Sequence, residues 1–237
     1  MCAATLRSPP VFLVVDTSSD GRAHPSLPCT QVERYTPFIC GEESFGTGSN
    51  HIREKDSLWA VMAWLSILAD ANPEPSQPLV GVKDIVQKHW TRFGRHFYCR
   101  YDYEAVDSDA ALEMMDKLRS YFETMADTST VLAGGLEFGD LKCTSVEEFM
   151  YVDPVDNSMA TKQGMILNFK DDERAVFRLS GTGSEGSTIR LYLEAFADTE
   201  DDIKRRPLDV LAPVAAAALE ASNLAEITGR DSPTVIT

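Results

Sequence analysis

Basic residues are scarce in this sequence: its 237 residues include 22 Lys and Arg against 37 Asp and Glu, which gives a formal net charge of −15. A surface with this balance repels a phosphate backbone, so the composition excludes a general nucleic-acid-binding protein. It permits a small phosphorylated ligand, because a few basic side chains in a cleft create a local positive field.

Clustered metal ligands and long apolar runs are also lacking. The 5 cysteines and 4 histidines are scattered without a CxxC pair, so neither a zinc site nor a disulfide framework is predicted. The longest apolar run, at 58–69, is too short to span a bilayer and predicts a helix buried on most of its faces. The run at 11–15 lacks a small-residue cleavage site, so we expect no signal peptide, a cytoplasmic location and no membrane partner.

Proline content and hydrophobic periodicity divide the chain into three parts. Residues 1–37 are rich in proline and hold no amphipathic helix, so we expect a poorly ordered lead. Residues 38–97 hold a Gly-rich loop, a helix that Asp56 can cap, and a second helix ended by Gly94. Residues 98–237 combine helices with short strands, which predicts an α+β domain. Helices are predicted at 57–69, 82–93, 107–126 and 209–227, and strands at 165–169, 175–179 and 188–193 with a hairpin turn at 170–173.

The most informative stretch is RLSGTGSEGSTIR at 178–190. Its glycines match the GxGxxG pattern of dinucleotide-binding folds and protein kinases, but the following residues alternate like a strand, and too little chain remains for a kinase. Glycines let successive backbone N–H groups turn toward one point, Ser and Thr add hydroxyl donors, and an arginine at each end can grip phosphate oxygens. The pattern indicates a phosphate-binding loop, and an ordinary hairpin turn stays open as the alternative.

A second candidate is GEESFG at 41–46, followed by REKD at 53–56. Adjacent carboxylates and a hydroxyl on a tight loop suit sugar hydroxyls, which both donate and accept hydrogen bonds. Lys55, near the start of a predicted helix, can act as a point charge for an anion. On these residues alone, a capped loop with solvated charges remains the favoured alternative.

Together and in this order, the motifs resemble the α-D-phosphohexomutase superfamily, and within it phosphoglucomutase of the eukaryotic type. The resemblance covers about 38–237 and includes LWAVMAWL at 58–65, YDYE at 101–104, DPVD at 153–156 and PTVIT at 233–237. It implies a remnant of the family's third domain, a sugar-binding α/β domain, at 38–97. It implies the fourth domain at 98–237, a phosphate-binding α+β domain whose antiparallel sheet is packed by helices.

The same resemblance implies site residues. Glu42 and Ser44 would contact sugar hydroxyls, and Lys55 would reach a phosphate. The 178–190 loop would clamp the phosphate of the substrate that is not transferred. Its implied ligands are Arg178, Ser180, Gly181, Thr182, Gly183 and Arg190.

The family interconverts glucose 1-phosphate and glucose 6-phosphate through an active-site phosphoserine, with Mg²⁺ and glucose 1,6-bisphosphate as cofactors of the full-length enzyme. Its Ser-His-Asn-Pro and Asp-Gly-Asp-Gly-Asp loops do not occur in this sequence. We therefore expect a truncated member that retains sugar- and phosphate-binding loops, has no catalytic or metal-ligating residue, binds neither cofactor with the residues present, and is inactive by itself.

One alternative is a non-catalytic paralogue that binds phosphosugars or another protein. The expected partner is a phosphorylated hexose. An incomplete third domain is also expected to expose apolar surface around Trp59 and Trp64, and this surface is expected to promote self-association.

Overall fold

The computed structural model describes residues 15–16, 37–41, 46–49, 51–52, 54–126, 136–152, 157–183 and 186–237. Contacts between residues divide this part of the chain into two compact units. One contains the described residues up to Phe93, and the other contains those from Gly94 onward. The domain division predicted between 97 and 98 lies a few residues after this break.

The first unit contains a three-stranded antiparallel sheet, in the order β1-β2-β3, and two helices. Helix α1 is capped by Asp56, whose Oδ1 accepts a hydrogen bond of 3.0 Å from the backbone N–H of Trp59, so the predicted cap is confirmed. Helix α2 ends just before Gly94, as its glycine stop signal predicts. The elements are β1 (Val15–Asp16), β2 (Pro37–Gly41), β3 (Thr47–Ser49), α1 (Ser57–Ala71) and α2 (Val82–Phe93).

The burial predicted for α1 is wrong. No residue of this helix is buried, and Leu58 and Met62 expose 76% and 61% of their surface. A helix that is apolar all round becomes buried only where other elements surround it. Although β3 packs against α1, the described residues do not enclose it. Trp64 is also 39% exposed, in agreement with the apolar exposure expected around that residue.

The second unit is built on a seven-stranded sheet in which every neighbouring pair is antiparallel. Its strand order is β10-β4-β9-β8-β7-β6-β5. A sheet of this kind beside helices confirms the predicted α+β class, and the turn between β7 and β8 falls at Lys170–Asp172, as predicted. The strands are β4 (Arg95–Val106), β5 (Leu136–Phe138), β6 (Leu141–Val152), β7 (Met159–Phe169), β8 (Arg174–Gly183), β9 (Gly186–Ala197) and β10 (Val235–Ile236).

Helices cover one face of this sheet. Helices α3 (Ser108–Ala126) and α4 (Pro207–Ser222) pack against it, and the short helix α5 (Leu224–Thr228) packs against α3. The single helix predicted at 209–227 is therefore wrong in one respect, because Asn223 separates α4 from α5. Its φ of 50° is left-handed, a conformation that asparagine tolerates better than most residues and that ends a helix.

Side-chain alternation along the strands separates the two faces of the sheet. On β9, Ile189 and Leu191 are fully buried and belong to the core beneath the helices, so Arg190 between them points to the opposite face. We call that opposite face, turned away from α3 and α4, the outer face. The core includes Phe97, Tyr103, Leu118, Phe177, Leu193, Leu211, Val214 and Leu224.

Candidate phosphate-binding site

The predicted phosphate loop forms the end of the β8–β9 hairpin. Arg178 lies directly opposite Arg190, and Ser180 lies opposite Thr188. The pairing is irregular beyond Ser180 and resumes where Gly183 faces Gly186. Residues 184–185 lie outside the described part. The fold thus brings the two arginines and Ser180 to adjacent positions on neighbouring strands.

Both arginines belong to the outer face. Phe177 and Ile189 are fully buried in the core, and because side chains alternate along a strand, Arg178 and Arg190 point away from it. Adjacent strands lie about 5 Å apart, so two guanidinium groups on opposed residues can reach a single phosphate. The sequence cannot show this opposition, because it depends on the register between two strands.

Neither arginine is paired within the described residues. No ion pair or side-chain hydrogen bond joins Arg178 or Arg190 to any of them, and Arg190 Nε is buried without a hydrogen-bond partner. Other arginines on the same face are paired, Arg100 with Asp102 and Arg174 with Glu194. Like charges directly opposite each other in a sheet are destabilising, and a buried unsatisfied donor adds to that cost. An anion bound between the two arginines would remove both costs.

The neighbouring strand β7 leaves room for Arg178. A Cβ built on Gly164 would lie 2.9 Å from the backbone oxygen of Phe177 and 3.1 Å from Cγ of Arg178. The aliphatic stem of Arg178 therefore lies over a position that has no side chain. The sequence interpretation did not link Gly164 to the candidate site, since a glycine inside a strand indicates close approach but does not name its neighbour.

The loop backbone at Gly181 is exposed and left-handed, with φ of 69°. No atom lies within 4 Å of a Cβ built there, so the space beside this residue is open to a ligand. Thr182 and Gly183 continue β8, and only their backbone is described. The role predicted for the hydroxyl of Thr182 therefore stays a prediction.

Three further residues, Glu42, Ser44 and Lys55, were predicted to contact the substrate. Glu42 and Ser44 lie outside the described residues. Lys55 lies in the first unit, exposed, just before α1, and its backbone N–H donates to Oε1 of Glu54 at 2.9 Å. Their roles remain predictions from the family resemblance.

Two further residues adjoin the arginines on β4, and sequence analysis assigned them no role. Asp102 lies directly opposite Arg190 and is only 6% exposed. Arg100 binds this carboxylate with two hydrogen bonds of 2.9 Å each, from Nε to Oδ1 and from an Nη to Oδ2. The alternation along β4 is visible in the sequence, but the partner strand and its register are not.

Other reactive groups in the described residues do not form a second site. Burial raises the pKa of the Cys99 thiol and raises that of Cys143 to about 11, so both are protonated and poorly reactive at neutral pH. No group of three or more His, Cys, Asp or Glu within the described ranges could hold a metal ion. No described helix is long and apolar enough to cross a membrane.

Comparisons with known proteins match this hairpin and the sheet around it. The family model described as the C-terminal domain of phosphoglucomutase-1 matches residues 95–234. A probable cytoplasmic phosphoglucomutase of Arabidopsis thaliana is 50% identical over 202 residues, which are 84% of this chain and 34% of the relative. The cytoplasmic phosphoglucomutase of Populus tremula is 50% identical over 201 residues, with the same coverage.

A solved structure gives the same assignment. The open form of the exocytosis-sensitive phosphoprotein pp63/parafusin of Paramecium, a phosphoglucomutase, superimposes with a TM-score of 0.73 and 45% sequence identity, over 87% of this chain and 34% of that one. The chain spans about a third of the length of the relatives it matches. The family model covers more than half of the chain, so the chain belongs to the phosphoglucomutase family.

Proposed function

We propose that this chain binds the phosphate of a hexose phosphate on the outer face of its seven-stranded sheet. The observation that carries the proposal is the opposed pair Arg178 and Arg190, neither of which forms an ion pair with a described residue. Ser180 and the open backbone at Gly181 adjoin the pair and supply further hydrogen-bond donors. Family membership supports glucose 1-phosphate and glucose 6-phosphate as the ligands to test first.

The residues present hold and orient a phosphate. They carry positive charge and hydroxyl donors. We propose that the 237-residue chain is inactive as a mutase by itself, because the family's Ser-His-Asn-Pro sequence is absent from it and a bound substrate has no activated nucleophile to react with. Mg²⁺ and glucose 1,6-bisphosphate belong, in this proposal, to the reaction of the full-length family enzyme.

The proposal also places the chain in the cytoplasm. The Arabidopsis, Populus and maize relatives are all named as cytoplasmic phosphoglucomutases. Glucose phosphates are the ligands that such relatives would meet there, which is consistent with the phosphate site. In the alternative, a non-catalytic phosphosugar-binding paralogue would make the same ligand contacts, whereas a protein-interaction paralogue would not require them.

Calorimetric titration of glucose 6-phosphate into the purified chain tests the site. We expect binding by the wild-type chain and a loss of affinity of about tenfold or more in Arg178→Gln and in Arg190→Gln, since hydrogen bonds to charged groups contribute about 1.5–3 kcal/mol. Arg206→Gln is the matched control, because Arg206 is exposed and precedes α4. Binding that survives both site substitutions would place the ligand elsewhere.

A coupled assay that detects glucose 6-phosphate formed from glucose 1-phosphate tests the predicted inactivity. The purified chain should show no rate above a buffer control, while a complete phosphoglucomutase in the same buffer shows that the assay works. A rate that depends on the chain would overturn the proposed division between binding and catalysis.

A further inference from the structure

The carboxylate beside the proposed phosphate site, that of Asp102, is bound by a third arginine, Arg100. Asp102 is the residue on β4 that lies directly opposite Arg190, and it is nearly buried. An aspartate at this position is the nearest available counter-charge for Arg190, because opposed residues of antiparallel strands have Cβ atoms about 5 Å apart. Nevertheless Arg190 Nε has no partner within the described residues.

The geometry of Asp102 explains why. Both of its carboxylate oxygens accept hydrogen bonds of 2.9 Å from Arg100, two residues earlier on the same face of the strand. This two-point arrangement matches a planar guanidinium to a planar carboxylate and fixes the orientation of both groups. Both oxygens of the Asp102 carboxylate are therefore engaged by Arg100.

The backbone on the other side of β4 holds this pair in place. The backbone N–H of Arg100 donates to the oxygen of Thr237 at 2.7 Å, and the N–H of Thr237 donates back to Arg100 at 3.0 Å. The N–H of Thr234 donates to the backbone oxygen of Asp102 at 2.8 Å. The strand segment that carries Arg100 and Asp102 is therefore paired on both edges, with β9 and with β10.

We propose that Arg100 is a positioning residue for the phosphate site: it retains the carboxylate of Asp102 and so leaves the guanidinium of Arg190 available to a ligand phosphate. This inference rests on the proposed function and adds to it a residue outside the hairpin. Asp102 on β4, Arg190 on β9 and Arg178 on β8 form one row across the outer face, and Arg100 lies two residues before Asp102 on β4. Without the Arg100 contact, Asp102 would compete with the ligand for Arg190.

A double-mutant cycle tests the inference. Glucose 6-phosphate is titrated calorimetrically into the full chain and into Arg100→Gln, Asp102→Asn and the double variant. Arg100→Gln should weaken binding about tenfold, within the range of coupling measured between contacting charged groups. The double variant should recover to within about threefold of wild type, because the competing carboxylate is gone. A merely structural role of Arg100 would leave the double variant as weak as the single one, and that result would overturn the inference.

Two further variants keep the test decisive. If Arg100→Gln does not fold, Arg100→Lys replaces it, since a lysine balances the charge of Asp102 through one contact instead of two. Binding by Arg100→Lys should weaken less than by Arg100→Gln and should still recover when Asp102→Asn is added.

Arg190→Gln separates the positioning role of Arg100 from the proposed phosphate site. If wild type fails to bind, the proposed function fails; if wild type binds, Arg190→Gln does not, and Arg100→Gln binds as wild type does, only the positioning role fails.

Discussion

At the scale of single residues, two glycines let the backbone or side chains of neighbouring strands come close to the β8–β9 hairpin. Gly186 begins β9, with φ of 93°, and a Cβ built on it would lie 2.8 Å from the backbone oxygen of Val106. Both its conformation and its contact with β4 exclude a side chain. Gly164 plays a similar part on β7, beneath the stem of Arg178. The hairpin is thus held closely by the two strands that flank it.

Gly186→Ala should therefore destabilise the chain more than an alanine at another left-handed glycine. Gly229→Ala is the matched control, because Gly229 has φ of 68° but no atom within 4 Å of a built Cβ. The control should cost about 1 kcal/mol through conformational strain alone, and Gly186→Ala about 2–4 kcal/mol through strain plus the displaced carbonyl contact. Urea unfolding followed by circular dichroism measures both; equal losses would show that the contact with Val106 is unimportant.

The residues proposed to touch the ligand have a clearer sequence pattern than those proposed to arrange them. Arg178 and Arg190 stand at either end of a Gly-, Ser- and Thr-rich loop, a local pattern with a known chemical use. Arg100 and Asp102 have no such pattern. Their relation to Arg190 depends on the pairing of β4 with β9, two strands that lie far apart in the sequence. It also depends on the register of that pairing, because a slip of one residue would move every side chain to the other face of the sheet.

At the scale of elements, helices were predicted well because their signals are local. The three- and four-residue spacing of apolar side chains and the glycine stop at Gly94 were sufficient for α2 and α3. Strand β4 was missed although Phe97, Cys99, Tyr101 and Tyr103 alternate with polar residues along it, because a face made of Cys and Tyr is a weaker apolar signal than one made of Val, Ile or Leu. The break at Asn223 was missed because an asparagine can continue a helix or end one.

A charged network on the outer face ties three strands of the sheet together. Glu194 on β9 contacts His96 Nδ1 on β4 at 3.2 Å and forms an ion pair with Arg174 on β8. Burial raises the pKa of Glu194, but the contact with His96 and the charge of Arg174 lower it further, so the pKa lies below its ordinary value of 4.5. The ionised carboxylate is consequently more stable in the folded chain than in the unfolded one.

Glu194→Gln should lower the free energy of unfolding at neutral pH by about 1–3 kcal/mol, because it leaves Arg174 without its charged partner. A lowered folded-state pKa contributes stability above the unfolded-state value and loses it as the pH falls through the folded-state value. The difference between wild type and variant should therefore be largest at neutral pH and shrink below pH 4.5.

Urea unfolding at a series of pH values measures this difference. Glu200→Gln is the control, because Glu200 pairs with Lys204 on an exposed turn and should show no comparable loss. A difference between wild type and Glu194→Gln that stays constant from neutral to acidic pH would show that the charge of Glu194 does not stabilise the sheet.

At the scale of the whole molecule, the two units differ in how well they bury their apolar residues. The second unit has a continuous core between its sheet and helices. In the first unit, α1 has no buried residue, and Leu58, Met62 and Leu65 recur at steps of four and three along it and are 76%, 61% and 53% exposed. A contiguous apolar stripe of this kind on a soluble surface is a site of association or aggregation.

We propose that α1 drives self-association of the chain. Light scattering coupled to size-exclusion chromatography should show a mass that rises with protein concentration for the wild-type chain, because association covers the apolar stripe. Replacing Leu58, Met62 and Leu65 together with Gln should restore a concentration-independent monomer. Leu112→Gln is the control: Leu112 is 49% exposed on α3, a helix whose opposite side is packed, and its substitution should leave association unchanged. A wild-type chain that stays monomeric across the same concentrations would show that the exposed helix does not promote association.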